Sequence, residues 1–176
     1  MKSGNGKVTL VIGGVRSGKS DFAQDMLLSR ESVAMIATAE ALDDEMRKRI
    51  ARHQADRPAN WITIEEPLEL ATAIEACNNQ HTAILVDCLT LWASNLLYKL
   101  DSDFAKIYAK VDELTQALQH TNCEVVLVSN EVGCGVVPLG LETRQYVDLL
   151  GAINRKVAAV ADELLLLVAG IPLKIK

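Results

Sequence analysis

A chain of 176 residues suits one domain able to bury on the order of 70% of its unfolded surface. Its net charge of −5, with no basic stripe interleaved with aromatics, argues against a nucleic-acid partner, because phosphate backbones are held by clustered Lys and Arg. No apolar run reaches the ~18–20 residues of a membrane span, and the opening MKSGNGK has no apolar signal region, so a cytoplasmic location is expected.

Short apolar runs alternate with longer amphipathic ones along the chain, the pattern of α/β architecture. The first seven residues are expected to be flexible, and one domain spans 1–176. The first strand is expected at Val8–Ile12. After it comes Gly13-Gly14-Val15-Arg16-Ser17-Gly18-Lys19-Ser20, and then a helical run, DFAQDMLLSR. This is G-x-x-x-x-G-K-[ST] in its strand–loop–helix context, the phosphate-binding P-loop. Glycines allow backbone angles closed to other residues, so successive N–H groups converge on phosphate oxygens. Lys19 supplies a point charge to the β- and γ-phosphates, and the Ser20 hydroxyl ligates Mg²⁺.

Further strands are expected at Val33–Ala37, Trp61–Ile64 and Ala83–Asp87. The runs VTLVI, AILVD and EVVLVS are almost wholly apolar, as in parallel strands covered on both faces. Asp87 ends AILVD, where parallel strands present residues to a ligand. It reads as the carboxylate on the Mg²⁺ side, or as a cap for the helix that begins at Leu89. Phe104, Ile107, Val111, Leu114 and Leu118 trace one apolar helical face, and Val147, Leu150, Asn154, Val157 and Ala161 trace another. Strands follow at Glu124–Ser129, Leu164–Val168 and Ile171–Ile175. Only Ala169-Gly170 separates the last two, too short for a parallel crossover, so they form an antiparallel hairpin at a sheet edge.

The cysteines Cys77, Cys88, Cys123 and Cys134 form no C-x-x-C pair and have no His at metal-ligand spacing, so they read as reduced, structural residues. His81 and His120 sit in polar surroundings and read as solvated surface residues. His53 follows Met46 and Ile50 at helical spacing, which by itself marks the end of an apolar helical stripe.

No N/T-K-x-D guanine motif or LSGGQ-type signature occurs, and Cys-Leu-Thr follows Asp87 where a switch GTPase has D-x-x-G. A small-molecule kinase, a nucleotidyltransferase and a non-catalytic nucleotide sensor remain open. The segments GGVRSGKS, IATAEALDDEMRKRIARHQADRP, WITIEEP, VDCLTLWASNLL, VSNEVGCGVVP, GAINRKVAAVAD and VAGIPLKIK narrow the choice. Together, from about Val8 to Lys176, they resemble the bifunctional adenosylcobinamide kinase/adenosylcobinamide-phosphate guanylyltransferase family. Val15 departs from the Ala that the family often has there.

The resemblance implies a P-loop NTPase with a RecA-like, mostly parallel sheet flanked by helices. It implies phosphorylation of the aminopropanol hydroxyl of adenosylcobinamide by ATP or GTP. It then implies transfer of GMP from GTP to adenosylcobinamide phosphate through a histidine–GMP intermediate, with pyrophosphate leaving. His53 is the histidine at the family's R-I-x-x-H position, and Arg49, Arg52 and Arg57 are either phosphate contacts or a solvated basic face. Nucleotide contacts carried over by motif extend from the loop to Thr38, Ala39 and Glu40, to Gln54, Ala55, Asp56 and Arg57, and to Glu65 and Asp87. Asn130 and Glu131 end another strand, beside the phosphates or the corrinoid. Mg²⁺ as cofactor and a homotrimer are implied as well.

Overall fold

In the computed structural model, residues 3–40, 47, 58 and 60–176 are described. The elements run β1 (Val8–Gly13), α1 (Lys19–Asp25), β2 (Val33–Ala37), β3 (Ile62–Glu65), α2 (Leu70–Cys77), β4 (Ala83–Asp87) and α3 (Leu89–Lys99). They continue with α4 (Phe104–His120), β5 (Glu124–Asn130), α5 (Leu141–Val160), β6 (Glu163–Val168) and β7 (Ile171–Lys174).

The strands form one seven-stranded sheet in the order β3-β2-β4-β5-β1-β6-β7. Every neighbouring pair is parallel except β6–β7, whose antiparallel register sets Val168 opposite Ile171 as the short connection requires. The central strands are covered on both faces, which explains their unbroken apolar runs. Side chains still alternate between two cores. Val8, Leu10, Ile84, Val86, Val125 and Leu127 join α2–α5 on one face. Val11, Leu85, Val126 and Val128 pack with Ala23 and Leu27 of the α1 segment on the other.

The apolar stripe of α4 buries Ile107, Val111, Leu114 and Leu118, and Asp103 caps its start by accepting from the amides of Ala105 and Lys106. The second stripe lies on α5, where Leu150, Asn154 and Val157 are buried with Leu149 and Ile153. Three expectations shift. Strand β3 covers Ile62–Glu65 rather than Trp61–Ile64; it lies at a sheet edge, and Trp61 precedes it as a buried member of the α1-side core. The helix after the phosphate loop ends at Asp25 and passes into turns. Residues 3–6, expected to be flexible, hydrogen-bond to the end of α4, with Ser3 N and Gly4 N donating to Gln119 O and Gly6 N to Thr121 O.

All four cysteines are free, and Cys77 and Cys123 are buried as expected, but Cys134 is exposed and has no packing role. His120 is exposed. His81 differs from its reading as a solvated residue: it is partly buried, and its Nδ1 lies 2.7 Å from Ser32 Oγ, tying the β2 entry to the β4 entry. No described helix is long and apolar enough to cross a membrane.

Candidate active site

Parallel pairing aligns the carboxyl ends of the strands along one rim. Gly13 stands opposite Asn130, Asp87 opposite both Val128 and Ala37, and Glu65 opposite Ala37. The rim is where an open α/β sheet takes its ligand.

The phosphate loop leaves β1 at Gly13, and packing there requires glycine. A Cβ on Gly13 would lie 2.6 Å from Ser17 Oγ and 2.7 Å from Leu167 O. Arg16 (φ 58°) and Gly18 (φ 85°) adopt the left-handed conformation that turns the chain into α1. Lys19 Nζ donates to Gly14 O at 3.0 Å, which sets the ammonium across the loop. The hydroxyl of Ser17 is buried with no hydrogen-bond partner among the described residues, while its carbonyl accepts from Gly170 N at 2.9 Å. The β6–β7 turn therefore buttresses the phosphate loop. Nothing in the local sequence of either segment announces that contact.

Asp87 ends β4, two strand spacings from β1 with β5 between them, about 10 Å across the sheet. The N-cap position of α3 belongs to Cys88, and no side chain hydrogen-bonds there as a cap, so the helix-cap alternative for Asp87 is not what the structure contains. Desolvation, with the Asp87 carboxylate adding to it, pushes the Cys88 thiol up to about 11, which leaves it protonated and poorly nucleophilic at neutral pH. Mg²⁺ takes oxygen donors and keeps several waters, so a hydroxyl at Ser20, a carboxylate at Asp87 and phosphate oxygens make a fitting set. No three His, Cys, Asp or Glu side chains converge among the described residues. The donor set therefore depends on the nucleotide's own oxygens.

Thr38 is fully buried, and its hydroxyl donates to Cys88 O at 2.7 Å and accepts from Cys88 N at 2.9 Å. It braces the ends of β2 and β4 against each other. Asn95 of α3 adds to the brace, donating to Thr38 O (2.8 Å) and Pro67 O (3.1 Å). Glu40 is paired with Lys99 at 2.7 Å, and Ala39 lies half-buried between them. Asn95 and Lys99 are residues the motif reading missed. Glu65 ends the edge strand four spacings from β1, about 19 Å away, which places it out of reach of the loop and at the far end of the rim. Asn130 holds its place through Thr90 Oγ1 and Asn154 Nδ2, with its own Oδ1 buried and unpartnered among the described residues. His53, Gln54, Ala55, Asp56 and Arg57 lie outside the described residues, as do Arg49 and Arg52.

Solved structures of low identity support the architecture alone. A prototypical ATPase from the type III secretion system of pathogenic bacteria superposes with a TM-score of 0.60 at 11% identity, over 91% of this chain. The chain spans half the length of that ATPase. Sequence relatives are nearer. The bifunctional adenosylcobalamin biosynthesis protein CobP of Pseudomonas aeruginosa is 44% identical over 168 residues, 95% of this chain and 96% of the relative. The corresponding CobU proteins of Salmonella typhimurium and Escherichia coli are 42% and 39% identical, each over 95% of this chain and 98% of the relative. The family model for cobinamide kinase / cobinamide phosphate guanyltransferase matches residues 9–175. With the phosphate loop, the carboxylate-bearing rim and this full-length correspondence, the chain belongs to the cobinamide kinase / cobinamide phosphate guanyltransferase family.

Proposed function

We propose that this chain carries out both reactions of its family on one rim: phosphorylation of adenosylcobinamide, then transfer of GMP to the product. The single observation that carries the reading is the phosphate loop, closed by Gly13 packing and left-handed Arg16 and Gly18, in a chain matched to the family from residue 9 to 175.

In the kinase step, the aminopropanol oxygen attacks the γ-phosphorus of ATP or GTP. The bond to the β–γ bridging oxygen breaks, the nucleoside diphosphate leaves and the hydroxyl proton is lost. The loop amides and Lys19 hold the β- and γ-phosphates throughout, so the residues act by positioning and charge. Ser20 and Asp87 hold Mg²⁺, which when bound neutralises charge on the phosphate oxygens. In the guanylyl step, a ring nitrogen of His53 attacks the α-phosphorus of GTP and pyrophosphate leaves. A phosphate oxygen of adenosylcobinamide phosphate then displaces the imidazole, which regains its neutral form. Neutral imidazole is a competent nucleophile near pH 7. The segment Thr38–Glu40, Gln54–Arg57 and Glu65 serve the guanine nucleotide in this reading, away from the loop.

The proposal includes one domain over the whole chain, a cytoplasmic location and a homotrimer. The apolar side chains Ile171, Leu173 and Ile175, all more than half exposed along the β7 edge and tail, support burial against another copy.

The test is incubation with α-labelled GTP and Mg²⁺ without acceptor, followed by mass analysis. The expected result is one GMP per chain, lost in His53→Ala together with GMP transfer. Kinase activity in that variant should stay within about tenfold, ~1.4 kcal/mol of barrier. A GMP adduct that persists in His53→Ala would sink the histidine assignment. A wild-type chain that is never labelled during turnover would leave a simple kinase.

A further inference from the structure

The loop from β5 to α5 and the first turns of α5 enclose a cavity of about 570 Å³ that the phosphate chemistry does not use. Its walls are apolar, from Val132, Val137, Pro138 and Val147, and its rim carries Asp148 and Arg155. The size falls within the range of small-molecule sites. We propose that this cavity is the docking site for the corrin ring of adenosylcobinamide, a proposal that rests on the family reading above and assigns its second substrate a surface.

Three observations converge on that occupant. The first is position. Glu131 N donates to Gly13 O at 3.0 Å, and Gly133 N donates to Glu131 Oε1 at 2.7 Å, so the cavity wall begins two residues from a direct bond to the phosphate loop. The reacting hydroxyl sits on a side arm of a bulky macrocycle. Only a surface beside the loop lets the ring rest while the arm reaches the γ-phosphate.

The second is exposed apolar surface. Val136 and Leu139 are 95% and 99% exposed, with Val137 and Leu141 also mostly in solvent. Four large apolar side chains grouped at one loop are the mark of a binding surface rather than of scattered exposure. Arg144 Nη1 donates to Pro138 O (3.0 Å) and Leu139 O (2.5 Å), holding the loop in that shape. The third is complementarity. A corrin presents apolar faces and a periphery of carboxamides. Arg155 donates to carboxamide oxygens, and Asp148 accepts from carboxamide N–H groups. Gly151, in the interior of α5, lines the cavity, and a Cβ built there meets nothing within 4 Å. Glycine in a helix interior is disfavoured by up to about 1 kcal/mol relative to Ala. Here it keeps the floor of the cavity clear.

The test is calorimetric titration of the full chain with adenosylcobinamide, comparing wild type, Gly151→Phe and Arg155→Ala. Gly151→Phe fills the cavity from a position with open space, and Arg155→Ala removes an exposed guanidinium. Both variants are expected to weaken corrinoid binding at least tenfold. GTP affinity measured on the same samples serves as the check that they are folded. Wild-type binding left unchanged by both substitutions would overturn the site while leaving the family activity standing. A wild-type chain that binds GTP but no adenosylcobinamide would overturn the substrate reading and the site with it.

Discussion

At the residue scale, Lys19 shows how one side chain serves two reactions. Its ammonium already bridges the loop through Gly14 O, so it is held near where the phosphates enter. In Lys19→Ala both kinase and GMP-transfer rates should fall together, because both use the same triphosphate cradle. Loss of a charge-assisted contact is worth roughly 1.5–3 kcal/mol, or about one to two decades. Parallel rate assays on the variant decide the point; one activity kept at the wild-type level would mean two separate nucleotide sites. Thr38 makes the contrasting case. Motif correspondence placed it among nucleotide contacts, yet its hydroxyl is consumed in both directions by Cys88. A spacing pattern shows that a Thr follows a strand. It does not show which neighbour will take the hydroxyl.

At the scale of elements, the C-terminal hairpin does more than end the sheet. Its turn places Ala169 at φ 50° and Gly170 at φ 82°, and Gly170 N holds Ser17 O of the phosphate loop. A Cβ on Gly170 meets nothing within 4 Å, so a substitution there acts through backbone angle and not through a clash. Gly170→Val should lower stability by about 1–2 kcal/mol and weaken GTP binding, whereas Gly170→Asn, which tolerates the left-handed region, should keep most of both. Thermal melts and GTP titrations that rank the two variants equally would refute the buttress.

Glu163, at the start of β6, bonds Lys7 at 2.8 Å and Lys174 at 3.0 Å, joining the approach to β1 with β7. The Lys7 hydrogen bond, and then the one from Lys174, hold its carboxyl below the usual value of 4.5. A lowered folded-state value means that the stabilisation is complete above the unfolded pKa and is lost as pH falls through the folded one. Both lysines are largely in solvent, so screening limits the gain to about 1 kcal/mol or less. Glu163→Gln should therefore melt a few degrees lower near pH 7, with the difference closing below about pH 4. A melting-temperature gap that stays constant across that range would show that the carboxylate charge is not the cause.

At the scale of the molecule, two cores on opposite faces of one sheet decide stability. Leu127 is fully buried in the middle of β5, between the strand of the phosphate loop and that of Asp87. Leu127→Ala should cost about 2–5 kcal/mol by lost burial and the cavity left behind. Denaturant titration measures it, and a loss under 1 kcal/mol would mean that the sheet collapses around the gap. The strand runs, the phosphate loop and the terminal hairpin were legible in the sequence because each is a local matter. Apolar periodicity, glycine placement and a two-residue connection all act within a few positions. His53 was legible only through resemblance, since its spacing alone describes an ordinary helix stripe. Strand order, the Gly170–Ser17 contact, the Cys88 claim on Thr38 and the cavity beside α5 were decided by the tertiary structure. Each depends on segments far apart in the chain meeting at one rim, and which of them meet is set by burying both faces of the sheet at once, a condition no single segment carries.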